Sequence, residues 1–260
     1  MNLFFIYAVL IGLVVGALVG LTGNGAGTLL VPLLILLLHV SPLVAVGSGV
    51  AFSFLTKIGA AWVHLRQQNV EWKVVGAMAT GSIPGALIGV GSLALLRQHY
   101  GDSLNPILKN IIGVLLILIP LLMLLQDRFQ NGARKPLHDH LPAAIKGYSG
   151  AALIGLIGGS LVGLTAIGAG SVIMMLFLLF FRRDPPVMIG TNIMHGLILA
   201  AVATLAHARL GTVDIRLVLW LLIGSVPGAV LGSRLTARIH SVWLRRILLA
   251  FVMAAGVALL

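Results

Sequence analysis

Thr22-Gly23-Asn24-Gly25-Ala26-Gly27-Thr28 interrupts a long apolar run with three glycines on alternate positions, one amide and a hydroxyl at each end. Bare backbone of this kind lets a ligand approach its N–H donors. A helix restarting at Thr28 would present the positive end of its dipole there, which favours an anion. The pattern returns, altered, as Thr165-Ala166-Ile167-Gly168-Ala169-Gly170-Ser171. Candidate anion ligands are therefore Thr22, Gly23, Asn24, Gly25, Gly27 and Thr28 from the first copy, with Thr165, Gly168, Gly170 and Ser171 from the second. Close helix packing is the competing reading, because small residues let membrane helices approach. Duplication, and the short apolar segment after each copy, favour the ligand. Ser48, Thr191 and Asn192 put further polar groups near the starts of apolar segments, as ligands or as local hydrogen bonds to the preceding turn.

Two ionisable residues fall inside apolar segments. Lys57 can attract an anion, carry a proton, or snorkel toward the boundary at His64. His195 can carry a proton or sit as a hydrogen-bonded core histidine. His64 and His207 stand at segment ends, where interfacial anchoring explains them. All six acidic residues, Glu71, Asp102, Asp127, Asp139, Asp184 and Asp214, lie in loops. That argues against cation transport, a buried carboxylate dyad and an intramembrane protease. There are no cysteines and no Walker A sequence, and His138-Asp139-His140 is too weak a pattern for a metal site. No cofactor or metal is expected, and the chain is not expected to be an enzyme.

The elements that position these residues are membrane helices. The 260 residues are 59% hydrophobic and 9% charged, with mean hydropathy +1.11. That is far below the roughly one-quarter charge of soluble domains. The net charge of +11 is scattered over short loops and does not form a nucleic-acid surface. Ten apolar segments are expected: 3–21, 29–38, 44–63, 74–96, 107–125, 143–164, 172–181, 187–206, 217–235 and 244–260. The second and seventh have about ten residues, against about 20 for a crossing; each spans obliquely or re-enters. The first is read as a retained span and not a cleaved signal peptide.

Between Val19 and Gly89, 23 of 71 positions recur identically 143 residues later, among them Pro42, Gly47, His64, Arg66 and Pro84. Pro84 and its copy Pro227 would kink their helices. The chain thus reads as a first membrane repeat (1–126), a polar cytoplasmic linker (127–142) and a second repeat (143–260). An odd count of five segments per half inverts the second repeat relative to the first, a transporter architecture. Loop Lys and Arg divide 12 against 4 between the two faces, which puts both termini outside the cytoplasm.

The ordered motifs resemble the TauE/SafE family, the sulfite-exporter-like permeases of the four-toluene-sulfonate uptake group. In the first half they are Gly23-Asn24-Gly25-Ala26-Gly27, Val44-Ala45-Val46-Gly47-Ser48, His64-Leu65-Arg66 through Glu71-Trp72, and Gly81-Ser82-Ile83-Pro84-Gly85-Ala86. In the second they are Gly168-Ala169-Gly170, Gly190-Thr191-Asn192, Gly211-Thr212-Val213-Asp214 and Gly224-Ser225-Val226-Pro227-Gly228. The resemblance implies transport of sulfur-bearing anions such as sulfite or sulfonates across a bacterial inner membrane. Three positions depart from it: Ala166-Ile167 lacks a family glycine, Met175 replaces the proline seen at Pro32, and Lys57 stands where a small or apolar residue is expected.

The expectation is an all-α polytopic membrane protein of two inverted repeats. It is a secondary transporter of a small anion, alternating access around a midplane site at the glycine breaks. An anion channel with the same backbone-lined pore is the alternative. Lys57 and His195 are candidates for proton coupling. The expected partners are the anion, the bilayer and protons, with no nucleic acid; homo-oligomerisation is left open.

Overall fold

A computed structural model describes residues 3–22, 27–132, 148–168, 173, 185–235 and 241–260. Among the described residues the chain is all helical. The elements are α1 (Leu3–Thr22), α2 (Gly27–Leu37), α3 (Pro42–Arg66), α4 (Trp72–Tyr100), α5 (Leu104–Gly132), α6 (Tyr148–Thr165), α7 (Pro185–Arg209), α8 (Ile215–Leu235) and α9 (Ser241–Leu259). Six stretches within these helices are long and apolar enough to cross a membrane. The expected seventh segment, 172–181, lies outside the described residues except for Ile173. α5 continues through Asp127–Gly132, so the first residues of the expected linker are helical, and 133–142 lie outside the described residues. A polar sequence can extend a helix beyond the hydrocarbon, where water satisfies its side chains.

Helix ends repeat at the sequence offset. Thr22 and Thr165 end α1 and α6; Pro42 and Pro185 open α3 and α7; Arg66 and Arg209 close them; Trp72 and Ile215 open α4 and α8. Proline suits a first helical position because its missing N–H has no intrahelical partner there. The turns after α3 and α7 match bond for bond. Asn69 N–H reaches His64 O, and Thr212 N–H reaches His207 O, both at 3.1 Å. Gln68 (φ +56°) and Gly211 (φ +71°) supply the same left-handed residue in the two turns.

The strongest packing joins the first helix of one half to the fourth of the other: α1 with α8, and α4 with α6. Glycines spaced by four make these contacts. A Cβ built on Gly81, Gly85 or Gly89 would stand 1.8, 2.4 and 2.4 Å from the carbonyl oxygens of Ala152, Leu156 and Ser160 on α6. Gly224, Gly228 and Gly232 meet Val9, Leu13 and Ala17 on α1 in the same way. Any side chain there would force the helices apart. Pro84 and Pro227 lie within these two glycine rows, inside α4 and α8.

Outward faces are apolar. α1 exposes Leu3, Tyr7, Leu10 and Val14, and α8 exposes Leu219, Ile223, Val226 and Val230. Stripes of this size on the outside of a helical bundle suit lipid better than water. The centre is held by α3 against α7, with α5 against α9 and α2 leaning on α3 and α9.

Candidate functional site

α1 stops at Thr22 and α2 starts at Gly27. Gly23, Asn24, Gly25, Gly170 and Ser171 lie outside the described residues, as does the side chain of Thr22. The described parts of the two breaks touch. A Cβ on Gly27 would stand 2.3 Å from Ala166 O, so only glycine lets the start of α2 lie on the second break. Gly49 of α3 borders the same place, where a Cβ would stand 3.8 Å from the Ala166 Cβ and 2.9 Å from Val31. Thr28 is half-buried in the first turn of α2.

The second break turns through left-handed backbone at Ala166 (φ +58°) and has Gly168 at φ +110°. Ala166 occupies the position of Gly23, so alanine here takes a conformation that favours glycine. Thr165 is fully buried and its hydroxyl builds the turn. It donates to Leu161 O at 2.7 Å and accepts the Ile167 N–H at 3.3 Å. Ile173 N–H then bonds Gly168 O at 3.2 Å.

Ser48 and Thr191 are buried and each holds a turn of the opposite half. Ser48 Oγ accepts the Asp214 N–H at 2.9 Å, and Thr191 Oγ1 accepts the Glu71 N–H at 3.0 Å. These long-range bonds differ from the local bond expected for a helical hydroxyl. They also fix direction: the start of each central helix meets the turn that follows the other, so α3 and α7 run antiparallel. Gly47 against Thr212, and Gly190 against Asn69, make the same end-to-end contact. Asn192, half-buried on α7, occupies the position equivalent to Gly49.

Lys57 does not snorkel toward His64. It is 8% exposed, and its Nζ bonds the Ser53 hydroxyl one turn back into α3. His195 is fully buried on α7, with Nε2 2.8 Å from Ser82 Oγ on α4. The anchoring expectation for His207 is corrected: it is fully buried, bridging Gly163 O on α6 and Thr212 Oγ1, each at 2.9 Å. Its ring thereby ties the helix that ends at the second break to the α7–α8 turn. Sequence reasoning did not find Ser53 or Ser82 as polar partners. Ser53 had a signal, its i−4 spacing from Lys57; Ser82 lies 113 residues from His195 and had none.

The family model described as Sulfite exporter TauE/SafE matches residues 8–259. A probable membrane transporter protein of Bacillus subtilis (strain 168), YjnA, is 34% identical over 252 residues, covering 97% of this chain and 98% of the relative. Two others from the same organism, YunE and YdhB, also named probable membrane transporter proteins, are 26% and 25% identical. These alignments cover 91% and 97% of this chain and 88% and 98% of the relatives. No solved structure matches. A match over nearly the whole chain, on a bundle with several membrane-crossing helices, makes this a membrane transporter that belongs to the TauE/SafE sulfite exporter family.

Proposed function

We propose that the chain is a secondary transporter of a small sulfur-bearing or related organic anion, such as sulfite or a sulfonate. It works by alternating access around the two glycine breaks. One observation carries this: Gly27, where α2 begins, rests on Ala166 of the second break, beside Gly49. Helix-terminal N–H groups of α2 therefore gather at a point where both halves contribute backbone, as an anion site requires. Broken backbone inside a bilayer is tolerated only where protein buries it or a wet cavity meets it.

The inverted-repeat reading is supported by the antiparallel run of α3 and α7, which are equivalent helices of the two halves. The exchange of α1 and α6 between halves follows the same two-fold relation. The family description names sulfite export, and the relatives' names stop at membrane transport. The loop charges support both termini lying outside the cytoplasm, and membership of a family with bacterial membrane transporters supports a bacterial inner membrane location.

Purified protein in liposomes tests the reading. Labelled sulfite or methanesulfonate is expected to enter faster than into protein-free vesicles, and counterflow of unlabelled anion is expected to stimulate it. Unitary currents in a planar bilayer would show a channel instead, and no flux of any small anion would remove both. A folded Gly27→Leu protein that transports normally would remove the breaks from the mechanism.

A further inference from the structure

α4 and α7 pack side by side. Ser82 meets His195 at 2.8 Å, and further along both helices Arg97 Nη1 donates to Leu210 O at 3.0 Å. The two pairs have the same separation in sequence, 113 residues, so the helices run in the same direction. Between these two contacts a groove of about 500 Å³ opens. Its walls include Leu87, Gly91 and Ala94 of α4 and Val202, Leu205 and Ala206 of α7, and Arg209 lines it at the end nearest Arg97. Leu87, Gly91, Leu205 and Arg209 are exposed, so the groove is open on the outside of the bundle.

Two of its residues are otherwise unexplained. Gly81, Gly85 and Gly89 touch α6, but a Cβ built on Gly91 meets nothing within 4 Å. Its bare backbone deepens the groove, at the cost in helix propensity that glycine carries. Arg209 has no hydrogen bond or ion pair among the described residues, and the Asp214 carboxylate is engaged with the Leu217 N–H at 3.0 Å. The first half differs at the equivalent positions. Arg66 lies over the Trp62 ring, 4.7 Å from its centroid. Leu205 replaces that tryptophan in the second half, and the equivalent of Gly91 is Arg234. The glycine and the unstacked arginine are therefore not repeated.

We propose that this groove binds one anionic phospholipid, with an acyl chain along the trough and the headgroup phosphate on Arg209. Leu87 to Ala94, and Val202 to Arg209, each advance about 10 Å. One leaflet of hydrocarbon is about 15 Å deep, so a chain lying here has its polar end at the arginines. A guanidinium suits phosphate, which it can grip with two parallel hydrogen bonds. The carbonyl ends of α4 and α7 repel an anion; Arg97 offsets this by donating to Leu210 O, which leaves Arg209 for the headgroup. A soluble anion would find one arginine and an apolar trough it cannot use. A second copy of the chain would have to bring an acid, and the chain has six acids against 17 Lys and Arg. On the orientation proposed above, the lipid belongs to the extracytoplasmic leaflet.

The test melts full-length protein, purified in a neutral detergent, with dioleoyl phosphatidylglycerol, dioleoyl phosphatidylcholine or glycerol phosphate. Native mass spectrometry reads the lipid retained. Phosphatidylglycerol is expected to raise the melting temperature and to stay bound as one copy. Phosphatidylcholine, with the same chains and no net charge, should raise it less. Glycerol phosphate, with no chains, should leave it unchanged. Arg209→Gln should weaken phosphatidylglycerol binding by about tenfold or more. Gly91→Leu should fold, since its side chain enters open space, and should lose the lipid. Gly59→Leu, at a helical position equally open and outside the groove, should keep it.

Wild-type affinity for phosphatidylglycerol in both Arg209→Gln and Gly91→Leu overturns the site. If Gly91→Leu does not fold, Leu205→Trp, which copies the first-half residue, replaces it under the same criterion. Equal shifts from the two lipids overturn the anionic assignment, and a glycerol phosphate shift matching phosphatidylglycerol assigns Arg209 to a soluble anion instead. A lipid-free wild-type dimer that Gly91→Leu makes monomeric puts a second copy in the groove and overturns the lipid. Each of these outcomes is read without transport, so the site and the transport reading fail separately.

Discussion

Gly113 of α5 and Gly256 of α9 are 143 residues apart and face each other. A Cβ on Gly113 would stand 3.0 Å from Gly256 O, and one on Gly256 2.9 Å from Gly113 O. A residue that meets its own copy lies on a two-fold relation, as at the centre of an isologous dimer interface. This contact is what the two-fold relation proposed for the two halves would produce if it extended beyond Gly89, where sequence identity fades. Gly113→Ala and Gly256→Ala are each expected to lower stability by about 1–3 kcal/mol. The double variant should fall short of the sum, because both methyl groups force the same gap. Thermal unfolding of the three proteins in detergent measures this.

The glycine rows give a sharper contrast. Gly85→Leu and Gly228→Leu place a side chain where a Cβ already lies 2.4 and 2.2 Å from backbone oxygen, so the helix pairs should separate and folded yield should collapse. Gly59, Gly76 and Gly91 sit in helices with nothing within 4 Å of a built Cβ. Alanine at any of these should stabilise by about 1 kcal/mol through helix propensity. Size-exclusion profiles and melting temperatures distinguish the two groups.

Ser48→Ala removes the acceptor of the Asp214 N–H, and Thr191→Val removes the matching bond at Glu71. Each is expected to cost about 1–3 kcal/mol. As turn clamps, both should leave substrate KM near the wild-type value in liposome uptake. A rise in KM with unchanged melting would return them to the role of direct ligands.

Ala166→Gly should stabilise the protein by about 1 kcal/mol, because Ala166 holds φ +58°. Its Cβ is lost in the same step, opening the contact with Gly49. A melting temperature at or below the wild type would show that this packing outweighs backbone strain.

Much of this was legible before any coordinates. The 143-residue offset predicted the matching helix ends and the equivalent central helices; nine of the ten expected segments have a described helix, α5 running seven residues past its expected end, and segment 172–181 lies outside the described residues apart from Ile173. That worked because helix periodicity and glycine spacing are local properties of the chain. What could not be read are contacts between distant residues: Ser48 with Asp214, His195 with Ser82, and His207 with Gly163. Nothing in the sequence near His207 distinguishes a boundary anchor from a buried bridge, since both put histidine at a helix end. Ser48 and Thr191 read from the sequence as ligands or as local hydrogen-bonders; their hydroxyls in fact accept backbone N–H groups from turns of the opposite half.

The pairing of α1 with α8 has a consequence for how the protein is made. The Gly12 and Gly16 surface of α1 finds its partner backbone at Leu221 and Ser225, near the other end of the chain. α1 must therefore leave the ribosome, enter the bilayer and wait there with its small-residue face against lipid. Only when α8 follows can that face close. Insertion and packing are separate stages in this molecule, and a ribosome that stalls before α8 would leave a fully inserted chain for membrane proteases to recognise.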